Sequence, residues 1–311
     1  MIDGVKVYKD GGIVVESKGR KILIDPCSIP GIKPSAIFVS HAHRDHYSLK
    51  VLKTLRGVPK IMSQATRELI DPHGTLDNVI IVNGGLVAEL EGLTLEFHEA
   101  GHIIGSLQLR IDTGLRIVYT GDFCLEKRIV LRPAPVLKAD VLIIDATYGH
   151  PNYSLPPRGT LYKKLLEIAT ERVELGENLS IAARALGTGQ EVTALLSLSA
   201  KLTPLVERKV AERNKVYEKY GEILGNYAVF DRIPPSSGIT LTALSQSTQG
   251  ELICTGWAIN TGIPMSSHAD YDDLLEYVKL SDAYNVFTFS RFSKVFSKHL
   301  SKELGVAAIS L

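Results

Sequence analysis

Short apolar runs that end beside polar residues recur along the first half of the chain. They lie at 36–39, 93–97, 115–120 and 140–144. Each run is short enough to be a buried strand. Between the runs, apolar residues at helical spacing in 48–56 and 66–70 predict two helices. Strands that alternate with helices, with antiparallel hairpins among them, are typical of an α/β layered domain.

The pattern changes twice further along the chain. Near residue 151 a stretch rich in proline has the composition of a linker, and helical patterns then prevail. In this region residues 204–220 are predicted to form one charged helix. From about residue 250 the short strands return. The sequence therefore predicts three segments, 1–150, 151–250 and 251–311.

The strongest chemical signal follows the run at 36–39. Four side chains with metal-ligand chemistry fall within six positions: His41, His43, Asp45 and His46. A loop at a strand end can turn several side chains toward one point. Imidazole and carboxylate ligands suit zinc or a similar divalent metal. A polar surface loop is the alternative, but it does not explain why three of the nine histidines stand here.

Other strand ends carry the same types of side chain. These residues are Asp25, His102, Asp122 and Asp145. One histidine or carboxylate at a strand end is ordinary, and Asp25 alone could be a turn residue. Several strand ends in succession indicate one convergent site.

Composition narrows the remaining classes. The hydrophobic fraction of 45% and the charged fraction of 22% are those of a globular protein. With a net charge of +1, a polyanion would need a local basic patch. No apolar run approaches the ~18 residues of a membrane span, and the N-terminus does not resemble a signal peptide. Three distant cysteines favour reduced thiols and a cytoplasmic protein.

These motifs resemble those of a known family. Residues 41–46 read H-A-H-R-D-H, which resembles the H-x-H-x-D-H motif of the metallo-β-lactamase fold. Asp25, His102 and Asp122 stand in the order and contexts of that fold's other motifs. The resemblance implies an α/β protein with four layers, αββα.

The second half is similar to the β-CASP group of nucleases. Asp145 in D-A-T-Y-G, Gly-Gln-Glu at 189–191 and His268 in S-S-H-A-D carry this resemblance. In that group a smaller α/β cap domain is inserted into the lactamase fold. Residues 151–250 would be the cap, and 251–311 would complete the first domain.

The resemblance also implies a set of metal ligands. His41, His43 and His102 would hold one zinc ion, and Asp122 would bridge to a second. Asp45 and His46 would bind that second ion, which makes Asp45 part of the catalytic group.

Two further roles follow from the same resemblance. Asp25 would brace the loop by hydrogen bonds. His268, steadied by Asp145, would act on the scissile phosphate as a general acid or a charge-stabilising donor. Phosphodiester hydrolysis would proceed through a metal-bound hydroxide, as in sites where two metals lie ~3.5–4 Å apart.

The chain departs from the family at one position. RNA-directed members carry a histidine at the strand end after the S-S-H-A-D helix, and one DNA-directed branch carries valine. Ser290 stands there in this chain. A serine is a poor zinc ligand, so we expect a weaker second site, filled by zinc or manganese. The substrate stays open between RNA and single-stranded DNA.

Three functions compete at this stage. The first is a metal-dependent nuclease. The second is a catalytically weakened paralogue that binds nucleic acid, which Ser290 suggests. The third is a lactamase-fold hydrolase of a small-molecule ester or thioester, which the inserted region and His268 disfavour. The oligomeric state is open, with a homodimer among the alternatives.

Overall fold

The first six strands form one mixed sheet whose order follows the chain. The computed structural model describes residues 4–231, 238–245 and 250–311. The strands are β1 (Lys6–Lys9), β2 (Ile13–Ser17), β3 (Arg20–Ile24), β4 (Ala36–Phe38), β5 (Lys60–Ser63) and β6 (Val79–Val82). β1, β2 and β3 pair antiparallel, whereas β3 to β6 pair parallel.

A second sheet begins with the next five strands. They are β7 (Val87–Leu90), β8 (Leu93–Glu99), β9 (Leu107–Asp112), β10 (Arg116–Tyr119) and β11 (Val141–Asp145). β7 to β10 are antiparallel neighbours, and β11 lies parallel beside β10.

A third, fully parallel sheet follows. Its strands are β12 (Leu179–Ala183), β13 (Leu205–Glu207), β14 (Ala228–Phe230), β15 (Ile239–Ala243) and β16 (Leu252–Cys254). The helix that the sequence predicts over 204–220 begins only at Arg208, because β13 takes the first residues and buries Val206. β16 lies beyond residue 250, and the limits 151 and 250 stay predictions.

The chain then returns to the second sheet. β17 (Asn285–Phe289) pairs parallel with β11, and β18 (Ala307–Ser310) pairs parallel with β17. The final order is β18-β17-β11-β10-β9-β8-β7. The carboxyl ends of β10, β11 and β17 therefore lie at the same edge of this sheet.

Seven α-helices lie in the described part of the chain, beside a short 3-10 helix (Pro151–Tyr153) and a π-helical turn (Leu195–Ser199). The α-helices are α1 (Leu49–Thr54), α2 (Gln64–Ile70), α3 (Arg158–Glu174), α4 (Thr188–Ala194), α5 (Arg208–Lys219), α6 (Tyr271–Ser281) and α7 (Ser293–Glu303). α3, α4 and α5 pack with the third sheet in one apolar cluster. α1 and α2 pack with the first sheet, and α6 and α7 with the second.

Alternation along the strands builds these layers. In β11, Val141 and Ile143 join the core between the first two sheets, while Leu142 and Ile144 face α6 and α7. Successive side chains of a strand point to opposite faces, so one apolar strand can serve two cores. The first two sheets and their helices thus form the four layers αββα that the sequence predicts.

Among the described residues, no helix is both long enough and apolar enough to cross a membrane.

Candidate metal centre and active site

Polar side chains gather where strands of the first two sheets end. Asp25 follows β3, and Ser40 and His41 come shortly after β4. Asp122 comes shortly after β10, and Asp145 closes β11. β3 and β4 are parallel, as are β10 and β11, so each pair of ends lies at one edge of its sheet.

Asp122 is the centre of the group that we call the histidine cluster. The cluster consists of His41, His43, His46, His102 and Asp122. Asp122 Oδ2 lies 3.5 Å from His41 Nε2 and 3.6 Å from His102 Nε2. The other carboxylate oxygen, Oδ1, lies 3.3 Å from His46 Nε2. The carboxylate is 3% exposed, so its charge must be balanced inside the protein.

Backbone carbonyls orient two of the histidines. His102 Nδ1 lies 2.9 Å from the carbonyl oxygen of Ser267, and His43 Nε2 lies 3.2 Å from that of Leu186. The remaining nitrogens of the two rings, His43 Nδ1 and His102 Nε2, approach to 2.9 Å. A carbonyl that accepts from one ring nitrogen leaves the other with a lone pair, which is the arrangement of metal-binding histidines.

Asp25 braces the loop that carries the cluster. It accepts hydrogen bonds from the backbone N–H of Ser40 at 2.7 Å and from the Ser40 hydroxyl at 2.6 Å. His46 Nδ1 lies 2.7 Å from Asp25 Oδ2. The Tyr119 hydroxyl donates to the same oxygen at 2.7 Å. Sequence reasoning missed Tyr119; the available signal was a lone phenol in an otherwise apolar strand end.

Burial and charge set the protonation of the cluster. Burial lowers the pKa of His41 and His102 well below the ordinary value, and burial together with the charge of Arg184 lowers that of His43 to about 4. Burial opposes the ionisation of Asp122, but the facing histidines hold its pKa well below the usual range. The neutral imidazoles of His41, His43 and His102 around a carboxylate are the protonation states that a divalent metal requires. His46 differs: burial opposes its protonation, but Asp122 and Asp25 raise its pKa well above the ordinary value, so a metal at His46 would have to displace a proton.

Two buried atoms in the cluster lack hydrogen-bond partners. Within the described residues, His41 Nε2 and Asp122 Oδ1 are buried and make no hydrogen bond. Unsatisfied buried lone pairs are costly, and here they belong to ligand atoms. The ligand atoms of His41, His43, His102 and Asp122 all lie within 4.8 Å of one another. This buried His/Asp cluster fits a metal ion.

His268 stands beside the cluster. Its Nδ1 lies 3.2 Å from Asp145 Oδ2 and 3.7 Å from Asp122 Oδ2. Its ring centroid lies 4.4 Å from that of His102. The structure thus brings Asp145 and His268 together, close to the Asp122 carboxylate. The ligand atoms of Asp122, Asp145 and His268 form a further group in which a metal could be held.

Asp45 and Ser290 lie outside these groups. Asp45 is exposed, and its backbone carbonyl accepts from the Cys27 thiol at 3.0 Å. Ser290 follows β17 with a left-handed backbone, φ +77°. Both residues nevertheless line the same cavity as His46 and His268.

That cavity opens beside the cluster and has a volume of about 670 Å³. Asp25, His46, Tyr119 and His268 are among its polar lining residues. Three cationic side chains, Lys9, Arg184 and Arg291, also line it, and all three are exposed. These three cations outnumber the two carboxylates of the described lining, Asp25 and Asp45, so the cavity wall carries a small excess of positive charge that could attract a polyanion.

Arg128 is a second residue that the sequence did not reveal. It is buried, and its guanidinium donates to the carbonyl oxygens of Gly101 and His102, the latter at 3.0 Å. It also donates to Glu191 Oε2 in α4 at 3.3 Å. Arg128 thus connects the loop of His102 to the third sheet's helices, and only the fold brings these partners together.

Comparison with known proteins bears on this site. Residues 7–149 match the model of the beta-lactamase superfamily domain. A solved structure of a protein of unknown function from Enterococcus faecalis superposes with a TM-score of 0.63 at 14% identity, over 91% of this chain and 93% of that one. The α/β class and the predicted metallo-β-lactamase fold with its inserted cap are confirmed.

Two curated relatives extend the match. A probable DNA ligase of Opitutus terrae is 28% identical over 296 residues, which are 87% of this chain and 28% of the relative. An RNase J-like protein of Methanocaldococcus jannaschii is 29% identical over 214 residues, 60% of this chain and 51% of the relative. The chain spans about half or less of the length of these relatives.

Proposed function

We propose that this chain, which belongs to the β-lactamase superfamily and its β-CASP group, is a metal-dependent nuclease that hydrolyses phosphodiester bonds in RNA or single-stranded DNA. The observation that carries the proposal is the meeting of the histidine cluster and His268 at the wall of one cavity, which three cationic side chains also line. An RNase J-like relative favours RNA, and a probable DNA ligase favours DNA. We also propose that the protein is cytoplasmic. Sedimentation of the purified protein would show whether it is a homodimer.

The chain's own residues have distinct parts in this proposal. His41, His43, His102 and Asp122 would hold one zinc ion. His46 and Asp122 would hold a second ion, zinc or manganese. Asp45 would join them once its loop rotates the exposed carboxylate toward that ion. When bound, such metals supply a water of lowered pKa and neutralise charge on the phosphate.

The remaining residues orient and transfer protons. Asp25 holds the ring of His46 in place through the 2.7 Å contact at Nδ1. Asp145 accepts from His268 Nδ1 at 3.2 Å, which fixes the orientation of the ring. Nε2 is then the atom that can give a proton to the leaving oxygen. Arg184 and Lys9 attract the phosphate chain to the cavity.

The direct test is incubation of zinc- or manganese-loaded protein with end-labelled RNA and with single-stranded DNA. Cleavage of either substrate, abolished by a chelator, supports the proposal and identifies the substrate. A metal-loaded protein that binds RNA and cuts nothing is instead the weakened paralogue. Hydrolysis of small thioesters without any nucleic-acid cleavage would select the third function.

His268→Ala tests the proton-transfer role. We expect turnover to fall by about 10²- to 10⁴-fold, the usual contribution of a general acid, with the metal content unchanged. His73→Ala is the matched control, because His73 is exposed and remote from the cavity lining. Loss of metal from His268→Ala would make His268 a ligand and would contradict its assigned role.

A further inference from the structure

Four aromatic side chains pack together beside the cavity, and two of them, Tyr148 and Trp257, line it. We call Tyr148, Tyr153, Trp257 and Phe292 the ring cluster. The Trp257 ring centroid lies 4.6 Å from that of Tyr148 and 5.0 Å from that of Tyr153. Phe292 joins through Tyr153, at 5.3 Å. The four rings come from three separate parts of the chain, so tertiary folding creates this surface.

The ring cluster is continuous with the candidate active site. Tyr148 packs edge-on against His268, with ring centroids 5.8 Å apart. Tyr148, Trp257, His268 and Arg291 all line the same cavity. A group bound against Trp257 would thus be separated from His268 by one ring, that of Tyr148. A nucleotide adjacent to the reacting phosphate can span this separation.

Tyr148 is a fixed base for this surface. Its ring is 2% exposed and stands against Gly256, where any β-carbon would collide with the tyrosine hydroxyl. Trp257, by contrast, is 38% exposed. The cluster therefore combines a buried ring with an indole that lines the cavity and is partly exposed to solvent.

Arg291 supplies a charge beside that face. Its guanidinium carbon lies 4.9 Å from the Trp257 ring centroid and 5.8 Å from that of Phe292. Arg291 is exposed, so its contact with the indole is weak, worth about two- to fivefold in an equilibrium constant. A stacked nucleobase is worth roughly 5- to 150-fold. A base can therefore displace the guanidinium and leave it free to pair with a phosphate.

We propose that Trp257 and Arg291 form a nucleobase subsite, in which one unpaired base stacks on the indole and the arginine holds the phosphate beside it. This inference rests on the proposed function, since it names how that site would hold its substrate. Every base has a flat π-face, so the subsite accepts all four bases. It requires a single strand, because a base inside a duplex is covered on both faces.

The chain offers an internal probe, because Trp257 is its single tryptophan. We would titrate the full-length protein with a phosphorothioate tetranucleotide of deoxyadenosine, its RNA counterpart, and an abasic sugar-phosphate of equal length. The base-bearing probes should quench the fluorescence and the abasic probe should not. Equal quenching and equal affinity for all three probes would overturn the subsite.

Variants separate the two parts of the subsite. Trp257→Leu should weaken binding of a labelled tetranucleotide by roughly 5- to 150-fold, Trp257→Phe should restore much of the loss, and abasic binding should not change. Arg291→Gln should lower the salt dependence of binding by about one phosphate contact. Tyr284→Leu, an exposed ring at the other end of β17, is the matched control. Unaltered binding by Trp257→Leu would refute the inference.

The outcomes also separate this inference from the nuclease proposal. Base-dependent quenching without cleavage at any metal would end the nuclease proposal and leave the subsite standing. Cleavage whose KM and kcat are the same in Trp257→Leu as in the wild type would refute the subsite and leave the nuclease proposal standing.

Discussion

Two buried polar groups connect the first domain to later parts of the chain, and they differ in how their buried charges are balanced. In the histidine cluster, lone pairs converge on one point around Asp122. In what we call the arginine network, consisting of Arg128, Arg158, Tyr162 and Glu191, donors face acceptors. The first group needs a cation to become satisfied, whereas the second has its cations within the chain.

Glu191 shows how the arginine network balances itself. One carboxylate oxygen accepts from Arg128 at 3.3 Å, and the other accepts from the Tyr162 hydroxyl at 2.5 Å and lies 3.6 Å from Arg158. Glu191 is 0% exposed and Arg128 1%. Because the opposite charges are fully buried together, removing one would strand the other.

The difference teaches how a structural buried cluster can be told from a functional one. Buried polarity alone describes both groups. Among the described residues, both groups contain buried atoms without a hydrogen-bond partner: His41 Nε2 and Asp122 Oδ1 in the histidine cluster, and Arg158 Nε and Nη1 in the arginine network. What separates them is the chemistry of these atoms. The histidine cluster leaves lone pairs of metal-ligand atoms, whereas the network leaves N–H donors of a cation that already has the Glu191 carboxylate 3.6 Å away. Buried lone pairs that converge on one point without a donor are a site for a cation.

The largest effect should come from breaking the arginine network. Glu191→Ala leaves two arginines buried without their carboxylate, so we expect a loss of about 3–5 kcal/mol in the free energy of unfolding, measured with urea. Glu177→Ala removes an exposed partner of Arg172 and should cost less than about 1 kcal/mol. Equal losses for the two variants would mean that the network is not a structural unit.

The second prediction concerns the histidine cluster and metal. Zinc at about 100 times its dissociation constant should stabilise the protein by about 2.7 kcal/mol, seen as a rise in the thermal midpoint. His41→Ala should abolish this gain. Without metal, the same variant should cost far less than Glu191→Ala, because it removes a desolvated imidazole whose Nε2 lacks a partner among the described residues and whose Nδ1 contacts only the Ser40 hydroxyl. His73→Ala should keep the full gain, and a gain retained in His41→Ala would break the comparison.

Local patterns allowed much of this molecule to be predicted. The ligand packet at 41–46 is a short-range motif, and the strands of the four layers follow from apolar runs that are read one at a time. The structure places His41, His43, His102 and Asp122 together, as the strand-end argument expects, and their roles as ligands stay predictions.

The remaining features depend on distant partners. Tyr119 reaches Asp25 across 94 positions, and His102 meets the Ser267 carbonyl across 165. β13 overrides the helical pattern at 205–207 because two strands later in the chain flank it. No local pattern encodes such pairings, nor the loop conformation that leaves Asp45 exposed.

Ser290 allows the unsatisfied site to be completed. Ser290→His adds an imidazole at the strand end beside Asp145. The left-handed backbone at position 290, φ +77°, strains serine and histidine alike, so the substitution adds no new backbone strain. We expect the second metal to bind about tenfold more tightly, or ~1.4 kcal/mol, in a calorimetric titration of stripped protein. The wild type should load in two separable steps.

Ser290→Gly is the matched control for that variant. Glycine relieves the left-handed backbone, so it should stabilise the protein by about 1 kcal/mol and leave metal binding unimproved. Two equally tight sites in the wild type would show that another residue already supplies the missing ligand.

The smallest effect tests the premise of the comparison, that a buried charge without a counter-charge costs stability. Asp273 lies in the first turn of α6, where burial and then the negative charges of Asp270 and Glu126 raise its pKa to about 7. In the folded protein it stays protonated to about pH 7, whereas in the unfolded chain it ionises near 3.8. The folded state therefore binds the extra proton between these values, and stability falls as the pH rises through that window.

Asp273→Asn removes this loss of stability. Because Asp273 is partly solvated, we expect the variant to gain only about 1 kcal/mol over the wild type between pH 5 and pH 8, measured by urea unfolding at each pH. Asp282→Asn, an exposed carboxylate beyond the end of the same helix, should show no such rise relative to the wild type. A flat difference for Asp273→Asn would mean that solvent already neutralises the cost, and the unsatisfied atoms of the histidine cluster would then be weaker grounds for a metal.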